Sequence, residues 1–268
     1  MIRKPAFAGS FYPAAETELY SMVDYFLKEG SAEEKEAPGI MAPHAGYIYS
    51  GKVAGKTYAS VCVPETVVIL GPNHRGFGEK VSVMKRGAWE IPGGKVDIDE
   101  EMAELIISSS SLASDDSIAH QSEHSIEVQL PFIKRKNPGA RIVPICLMGT
   151  DPSVSSDLAR ALCEAVERYS GEVLLVASSD MSHFISEEEA RILDFEAIDK
   201  MKRLDGAGLL EVVGEKSISM CGVLPASAVV SASGKLKAQK GELIDYSTSA
   251  GATGDTSEVV AYAGMRFI

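Results

Sequence analysis

The sequence predicts an α/β fold: a single three-layer domain with a mostly parallel central sheet and helices on both of its faces. Short apolar runs rich in β-branched residues alternate along the chain with amphipathic segments, and Gly, Pro or Ser residues end the runs. Such runs are typical of strands buried on both faces of a parallel sheet, which right-handed helical crossovers connect. No internal repeat or shift in composition divides the 268 residues, so one domain is expected over residues 1–268.

The first half of the chain is predicted to alternate helices with core strands. In order, its elements are a helix over residues 14–28, a strand over 39–42, a helix over about 51–60, a strand over 67–70, a smaller β region over 80–97, a helix over 99–110 and a helical stretch over 123–135. The helices follow apolar spacings of three and four residues, and the β region follows period-two alternation. Pro131 is expected to bend or break the last helical stretch.

The second half continues this alternation and ends in two strands. In order, its elements are a strand over 141–147, a helix capped by Asp151 with Pro152 at its first position, a strand over 172–177, a helix with a capping box of Ser186 and Glu189, a helix over about 223–232, and strands near 242–247 and 257–266. Only a turn-rich loop separates the last two strands, so they are predicted to pair antiparallel at one edge of the sheet. The residues of the Ser186-capped helix that are predicted to face inward are Ile192, Phe195, Ile198 and Met201.

Composition excludes several classes of function. Aspartate and glutamate outnumber lysine and arginine by 38 to 26, giving a formal net charge of −12. This argues against nucleic-acid or anionic-membrane binding, because both require basic patches. The chain has no apolar run of membrane-spanning length and no signal-peptide pattern, so a cytoplasmic protein is expected. The four cysteines are scattered and predict no disulfide framework, with Cys146 and Cys163 as buried apolar residues.

Three of the five histidines follow predicted strands closely. His44 comes after the strand over 39–42, His74 after the strand over 67–70, and His183 after the strand over 172–177. Ligands of open α/β sheets gather outside the carboxyl ends of the strands, so these positions predict a shared site. Imidazole is a common metal ligand, which makes His44 and His74 candidate ligands. The alternative is that each is a loop histidine bonded to a carbonyl group.

Cys221 is the candidate third ligand. It directly precedes Gly222 and the predicted start of a helix, and a helix N-terminus stabilises a thiolate. Two imidazoles and a thiolate suit Zn, Cu or Fe. The alternative is a buried structural cysteine.

Three further residues are candidates for acid–base chemistry or substrate contact. Asp180 and His183 lie beyond the strand over 172–177, where the carboxylate can orient a ring or transfer protons. Asp180 could equally bond to its own backbone in a turn. His124 is expected to open a helix, with Glu123 or Glu127 tuning it, and to bond a substrate oxygen. His120 has no comparable neighbours in the sequence and is expected on the surface.

These motifs together resemble those of the MEMO family (the AmmeMemoRadiSam system protein B type). The segments that carry the resemblance occur in the family's order along essentially the whole chain. They are Arg3–Pro13, Pro43–Tyr47, Gly71–His74, Glu123–Pro131, Ser178–His183 and Met220–Gly222. The family is similar to the class III (LigB-type) extradiol dioxygenases, which implies a single α/β domain around a central sheet.

The resemblance also implies a ligand set and partners. Two histidines and a glutamate hold Fe(II) in the dioxygenases. His44 and His74 match the histidines, and Cys221 stands in place of the carboxylate, which puts ring cleavage in doubt because a thiolate is itself oxidisable. His124, Asp180 and His183 match positions that line the family's site. The implied cofactor is Fe or Cu, with Zn as a further option, and the implied partners are an AMMECR-type protein and a radical-SAM protein.

Three functions remain open at this point. The first is a metal-dependent redox enzyme, dioxygenase-like, with an unknown substrate. The second is a non-catalytic binding module that takes a peptide or small ligand in the same pocket. The third is a metal-independent hydrolase or transferase with Cys221 as nucleophile and His183 or His124 as base. Neither the substrate nor formation of a homo-oligomer is settled by the sequence.

Overall fold

A nine-stranded sheet forms the centre of the protein. The computed structural model describes residues 1–30 and 33–268. The strands are β1 (Ile2–Arg3), β2 (Gly39–Ala42), β3 (Thr66–Pro72), β4 (Val81–Val83), β5 (Ala88–Ile91), β6 (Gly94–Asp97), β7 (Ala113–Asp115), β8 (Arg141–Leu147), β9 (Val173–Ser178), β10 (His183–Ile185), β11 (Gly241–Thr248) and β12 (Val259–Phe267). The helices are α1 (Glu16–Lys28), α2 (Tyr47–Ala59), α3 (Glu100–Ser109), α4 (Leu130–Lys136), α5 (Pro152–Arg168), α6 (Glu187–Lys202), α7 (Gly206–Glu215), α8 (Val223–Lys235) and α9 (Ala250–Thr253).

The centre of the large sheet is parallel and its flanks are mixed. The strand order is β10-β12-β2-β9-β3-β8-β4-β7, and β11 pairs with β12 outside this path. Strands β2, β9, β3 and β8 run parallel, whereas β12 is antiparallel to β2, and β4 is antiparallel to β8. The antiparallel pairing of β11 with β12 confirms the predicted terminal pair. The predicted β region over 80–97 divides between β4 and a small sheet of order β1-β5-β6.

Helices cover both faces of the sheet, which confirms the predicted α/β architecture. Alternate residues of β3 point to opposite cores: Val68 and Leu70 belong to the core to which α3, α5, α6, α7 and α8 contribute, while Val67 and Ile69 belong to the core to which α1, α2 and α4 contribute. Every residue of β3 is buried, as a strand covered on both faces requires. No helix in the described ranges is long and apolar enough to cross a membrane.

The helix predicted over 123–135 is wrong in its first half. Residues 127–129 form a single 3₁₀ turn, and the α-helix begins only at Leu130. Pro131 therefore lies in the first turn of α4, where its missing N–H has no helical partner to lose. The proline starts the helix instead of breaking it.

The sequence pattern did not predict helix α7. Gly206, Gly208 and Gly214 lower the helix propensity of this segment, and tertiary packing overrides that deficit.

The inward face predicted for α6 is partly wrong. Ile198 and Met201 are buried, but Ile192 is 62% exposed and Phe195 is 38% exposed. The buried positions in the first half of the helix are Ala190 and Asp194, and the Asp194 carboxylate accepts hydrogen bonds from Ser182 and Tyr246. Asp194 therefore faces inward because its carboxylate finds hydrogen-bond partners, whereas hydrophobicity alone predicted that Ile192 and Phe195 would face inward.

His120 is fully buried, so its expected surface position is wrong. Its ring packs edge-on against Trp89, and its Nε2 lies 3.2 Å from the Ser82 carbonyl oxygen. The main-chain carbonyl of His120 accepts a hydrogen bond of 2.6 Å from Nε of Arg3. His120 therefore lies between Arg3 of β1 and Ser82 of β4 in the large sheet. Cys146 and Cys163 are buried as predicted.

Candidate metal centre

Three neighbouring parallel strands each place a candidate residue two positions beyond their last residue. His44 follows β2, which ends at Ala42; Asp180 follows β9, which ends at Ser178; and His74 follows β3, which ends at Pro72. Because β9 lies between β2 and β3, all three side chains emerge at the same edge of the sheet.

Cys221 reaches this edge from the start of α8. The helix begins at Val223, and its N-cap Gly222 lies against the end of β9. A Cβ atom at Gly222 would come within 2.5 Å of the Ser178 carbonyl oxygen, so only glycine allows this approach. As a result, Sγ of Cys221 lies 3.2 Å from Nε2 of His44. The ligand atoms of His44, His74 and Cys221 all lie within 4.8 Å of one another.

The proton positions around His44 follow from its neighbours. Ser178 Oγ donates its one proton to the Ser125 carbonyl oxygen at 2.6 Å and accepts from Gln129 Nε2 at 2.9 Å. His44 Nδ1, 3.0 Å from the same oxygen, must therefore be the donor. This fixes the tautomer with an unprotonated Nε2, and that atom faces Cys221. Gln129 is held in turn by the Pro43 carbonyl and the Tyr58 hydroxyl.

Glu123 orients His74 in a comparable way. Its carboxylate accepts hydrogen bonds from the main-chain N–H of His74 at 2.7 Å, from Nδ1 of His74 at 2.9 Å and from the main-chain N–H of Ser125 at 2.9 Å. The ring consequently has Nε2 free for a ligand bond. Carboxylate–histidine pairs of this kind orient metal-binding imidazoles and raise their basicity.

His124 lies beside the three candidate ligands but not on a helix. It stands in the loop before the 3₁₀ turn, with its ring stacked on His74 at a centroid distance of 4.7 Å. His74, Glu123 and His124 form a second group whose potential ligand atoms converge. Glu127 does not tune His124. Its buried carboxylate binds Arg3, Tyr12 and the main chain of Ala6 and Phe7.

Asp180 and His183 lie around the three candidate metal ligands. Asp180 Oδ1 accepts a hydrogen bond of 2.7 Å from the main-chain N–H of His44, so the alternative of a self-bonded turn is wrong. His183 opens β10, and its Nδ1 lies 2.9 Å from the Ser219 carbonyl oxygen, which leaves Nε2 free. Asp180, His183 and His124 line one pocket of about 420 Å³. The residues that the sequence singled out for proton transfer therefore face a common space.

Burial disfavours charge throughout this group. Burial, and then the charge of His74, lower the pKa of His44 to about 3. Burial, and then the charge of His44, lower the pKa of His124 to about 3. Burial and then the charge of Asp180 raise the pKa of the Cys221 thiol, so the expected stabilisation by the helix N-terminus does not prevail. Burial also opposes ionisation of Glu123, but the hydrogen bonds from His74 and Ser125 outweigh it and lower the pKa to about 2.

Three supporting residues were not identified as such from the sequence. Glu123 lies 3.3 Å from Nδ1 of its neighbour His124, as the sequence predicted, but it also accepts two hydrogen bonds from His74, 49 positions away. Ser178 contacts His44 across a separation of 134 positions, and Gln129 fixes the tautomer indirectly by donating to Ser178, 49 positions away. Pairings of this range leave no local pattern in a single sequence.

Comparison with known families identifies the family of the chain. A model of the family described as Memo-like protein matches residues 3–266. The chain belongs to the Memo-like family. The match includes every residue of the candidate metal centre, so the site lies within the family's own domain.

Relatives from distant organisms align over the full length of this Memo-like chain. A MEMO1 family protein of Aquifex aeolicus is 43% identical over 268 residues, covering 100% of this chain and 99% of that one. A MEMO1 family protein of Methanopyrus kandleri is 40% identical over 280 residues, with the same coverage. One of Methanosarcina acetivorans is 37% identical and covers 98% of each chain.

Proposed function

We propose that His44, His74 and Cys221 bind a metal ion and that the protein is a metal-dependent redox protein of the dioxygenase-like type. The observation that carries the proposal is the arrangement of donors: each imidazole has its Nδ1 engaged by a hydrogen bond, which leaves Nε2 free beside the thiol of Cys221. Ligand atoms within 4.8 Å of one another suit a single ion held by bonds of about 2.0–2.3 Å. Coordination would offset the cost of burying the thiolate.

The donor set indicates which metals fit. Two imidazoles and a thiolate are suitable for Fe, Cu or Zn. A bound iron or copper ion would supply the redox chemistry. The protein itself would supply polar groups in the pocket: His124, whose pKa burial lowers to about 3, stays neutral at pH 7 and can hydrogen-bond a substrate oxygen, while His183, which lines the same pocket, is the candidate for proton transfer.

The arrangement does not favour a metal-independent cysteine nucleophile. Cysteine hydrolases depend on a thiolate beside a positively charged imidazole. Here the imidazole that contacts Cys221 is His44, not His183 or His124, and burial opposes the charge on both groups of the pair. A cation between them removes that opposition, because it requires a thiolate and a neutral imidazole.

Metal analysis of untagged protein purified without chelators tests the proposal. We expect about one equivalent of Fe, Cu or Zn per chain, with loss of tight binding in His44→Ala and His74→Ala. Cys221→Ser should weaken copper and iron binding, since a neutral hydroxyl replaces a thiolate. His183→Ala is the matched control, because this histidine lines the pocket without contacting Cys221. Unchanged metal content in Cys221→Ser would contradict the assignment of the thiol.

Oxygen consumption separates the redox function from the alternative of a binding module. A redox enzyme loaded with Fe or Cu should consume O₂ when a catechol-like phenol is supplied. A binding module would hold the metal and ligand without turnover. The comparison requires protein of known metal content, so that lack of turnover is not confused with lack of metal.

A further inference from the structure

The pocket beside the histidines has an aromatic wall that the metal centre does not use. Four of its lining residues carry aromatic rings: Phe11, Tyr49, Phe184 and Tyr262. Tyr262 is buried, whereas Tyr49 is 38% exposed and Phe184 is 72% exposed. Rings that remain open to solvent at the mouth of a pocket can present their faces to a ligand.

Phe184 is held in a backbone conformation that a bulky residue rarely adopts. Its φ is 57°, in the left-handed region, where an L side chain costs about 1–2 kcal/mol. The ring approaches His183 edge-on, with centroids 5.8 Å apart, and most of its surface faces solvent. Burial of the ring therefore does not offset the strain. A strained residue at the mouth of a pocket points to a role in what the pocket binds.

Histidines are the only basic side chains among the described residues that line the pocket with its two carboxyl groups. Asp180 lies at the inner end beside His44, and the exposed Glu258 directly precedes β12 at the outer end. Among the described residues that line the pocket there is no lysine or arginine. The Glu258 carboxylate would thus repel an anionic group in the outer pocket, because no lysine or arginine among these residues neutralises it. A cation would meet aromatic faces and an opposite charge.

We propose that the outer pocket recognises the cationic end of an amine-bearing small molecule, with an ammonium group over Phe184 and Tyr49 and paired with Glu258. A cation is attracted electrostatically to the face of an aromatic ring, and a nearby carboxylate strengthens that attraction. The opposite end of such a ligand would reach His124, Asp180 and the metal ligands. The inference rests on the proposed function for the choice of this pocket, but recognition of the cation itself needs no metal.

Two probes of nearly identical shape and opposite charge test this inference. Tyramine and 3-(4-hydroxyphenyl)propionate share a phenol ring and a two-carbon spacer, and 4-ethylphenol is the neutral reference. Each is titrated into the metal-free full-length protein at pH 7 and low ionic strength, with binding followed by ligand-observed NMR. Tyramine should bind about 3- to 10-fold more tightly than the propionate, as expected for one cation–π contact and one exposed ion pair. Equal affinities, or tighter binding of the propionate, would overturn the proposal.

Three variants locate the effect. Glu258→Gln should reduce the advantage of tyramine over 4-ethylphenol, and Phe184→Leu should weaken tyramine more than 4-ethylphenol because it keeps apolar bulk and removes the ring. Glu167→Gln removes the same charge from an exposed position of α5 outside the pocket and should change nothing. A full tyramine advantage in both pocket variants would also overturn the proposal. Because the measurement uses metal-free protein, its result is independent of whether the metal hypothesis succeeds.

Discussion

Replacing Glu123 by glutamine should weaken metal binding without removing any ligand. The carboxylate accepts two hydrogen bonds from His74 and one from the Ser125 amide. A glutamine of the same shape has one oxygen and one NH₂ group, so in either orientation a donor faces a donor. If the NH₂ group meets Nδ1 of His74, the ring must move or take the tautomer with Nε2 protonated. Both outcomes withdraw Nε2 from the metal.

The size of the effect follows from the bond that is lost. A hydrogen bond to a charged group contributes about 1.5–3 kcal/mol, and each 1.4 kcal/mol is a factor of about ten in affinity. We therefore expect Glu123→Gln to raise the Kd for Zn²⁺ or Co²⁺ by about 10- to 100-fold, the range typical of residues that orient metal ligands. The assay is competition with a chromophoric chelator, using untagged metal-free protein. Redox-silent Zn²⁺ keeps oxidation of the thiol out of the measurement.

A second buried carboxylate provides the control. Asp99 is fully buried, caps α3 and binds Thr66 at the opposite end of β3. Asp99→Asn makes the same chemical change far from the metal centre, and asparagine still caps a helix. It should lower the free energy of unfolding, measured with urea, without changing the Kd. If Glu123→Gln keeps a Kd within about threefold of the natural protein, or if both variants weaken binding equally, the reasoning about His74 is refuted.

Three further predictions concern pH, strain and close packing. Burial lowers the pKa of His120 to about 4, so the folded state binds fewer protons than the unfolded state between pH 6.5 and about 4, and stability should fall as the pH falls through that window. The loss of unfolding free energy between pH 7 and pH 4.5, measured with urea, should be about 3 kcal/mol at most and should be smaller in His120→Asn. An unchanged loss in this variant would contradict the role of His120. Phe184→Gly should leave the free energy of unfolding unchanged or raise it by about 1 kcal/mol, because glycine removes the left-handed strain and little buried area is lost. A clear drop in the free energy of unfolding would show that the ring has a structural role. Gly222→Ala should lower the free energy of urea unfolding by about 1–3 kcal/mol and weaken metal binding, because the new Cβ would overlap the end of β9. The control is Gly214→Ala on the open face of α7, which should be neutral or stabilising. Equal effects at the two glycines would refute the packing argument.

Local sequence patterns determined the architecture. Unbroken apolar runs gave the buried strands, because only strands covered on both faces tolerate such runs, and the polar caps gave several helix starts. Asp151 and Ser186 each accept a hydrogen bond from the first turn of the helix that they cap. The positions of His44, His74 and Asp180 just beyond strands were equally visible, because the ends of parallel strands meet at one edge whatever the details of packing.

The tertiary structure alone decided the protonation and orientation of the site. Gln129 and Ser178 set the tautomer of His44, and Glu123 accepts hydrogen bonds from the distant His74 as well as lying 3.3 Å from its sequence neighbour His124. The same holds for the burial of His120 and for Asp194 in place of Ile192 on the inner face of α6. The physical reason is the range of the interactions: hydrophobic periodicity and capping act within a few residues, whereas a buried polar group takes whichever partner the fold brings within hydrogen-bonding distance.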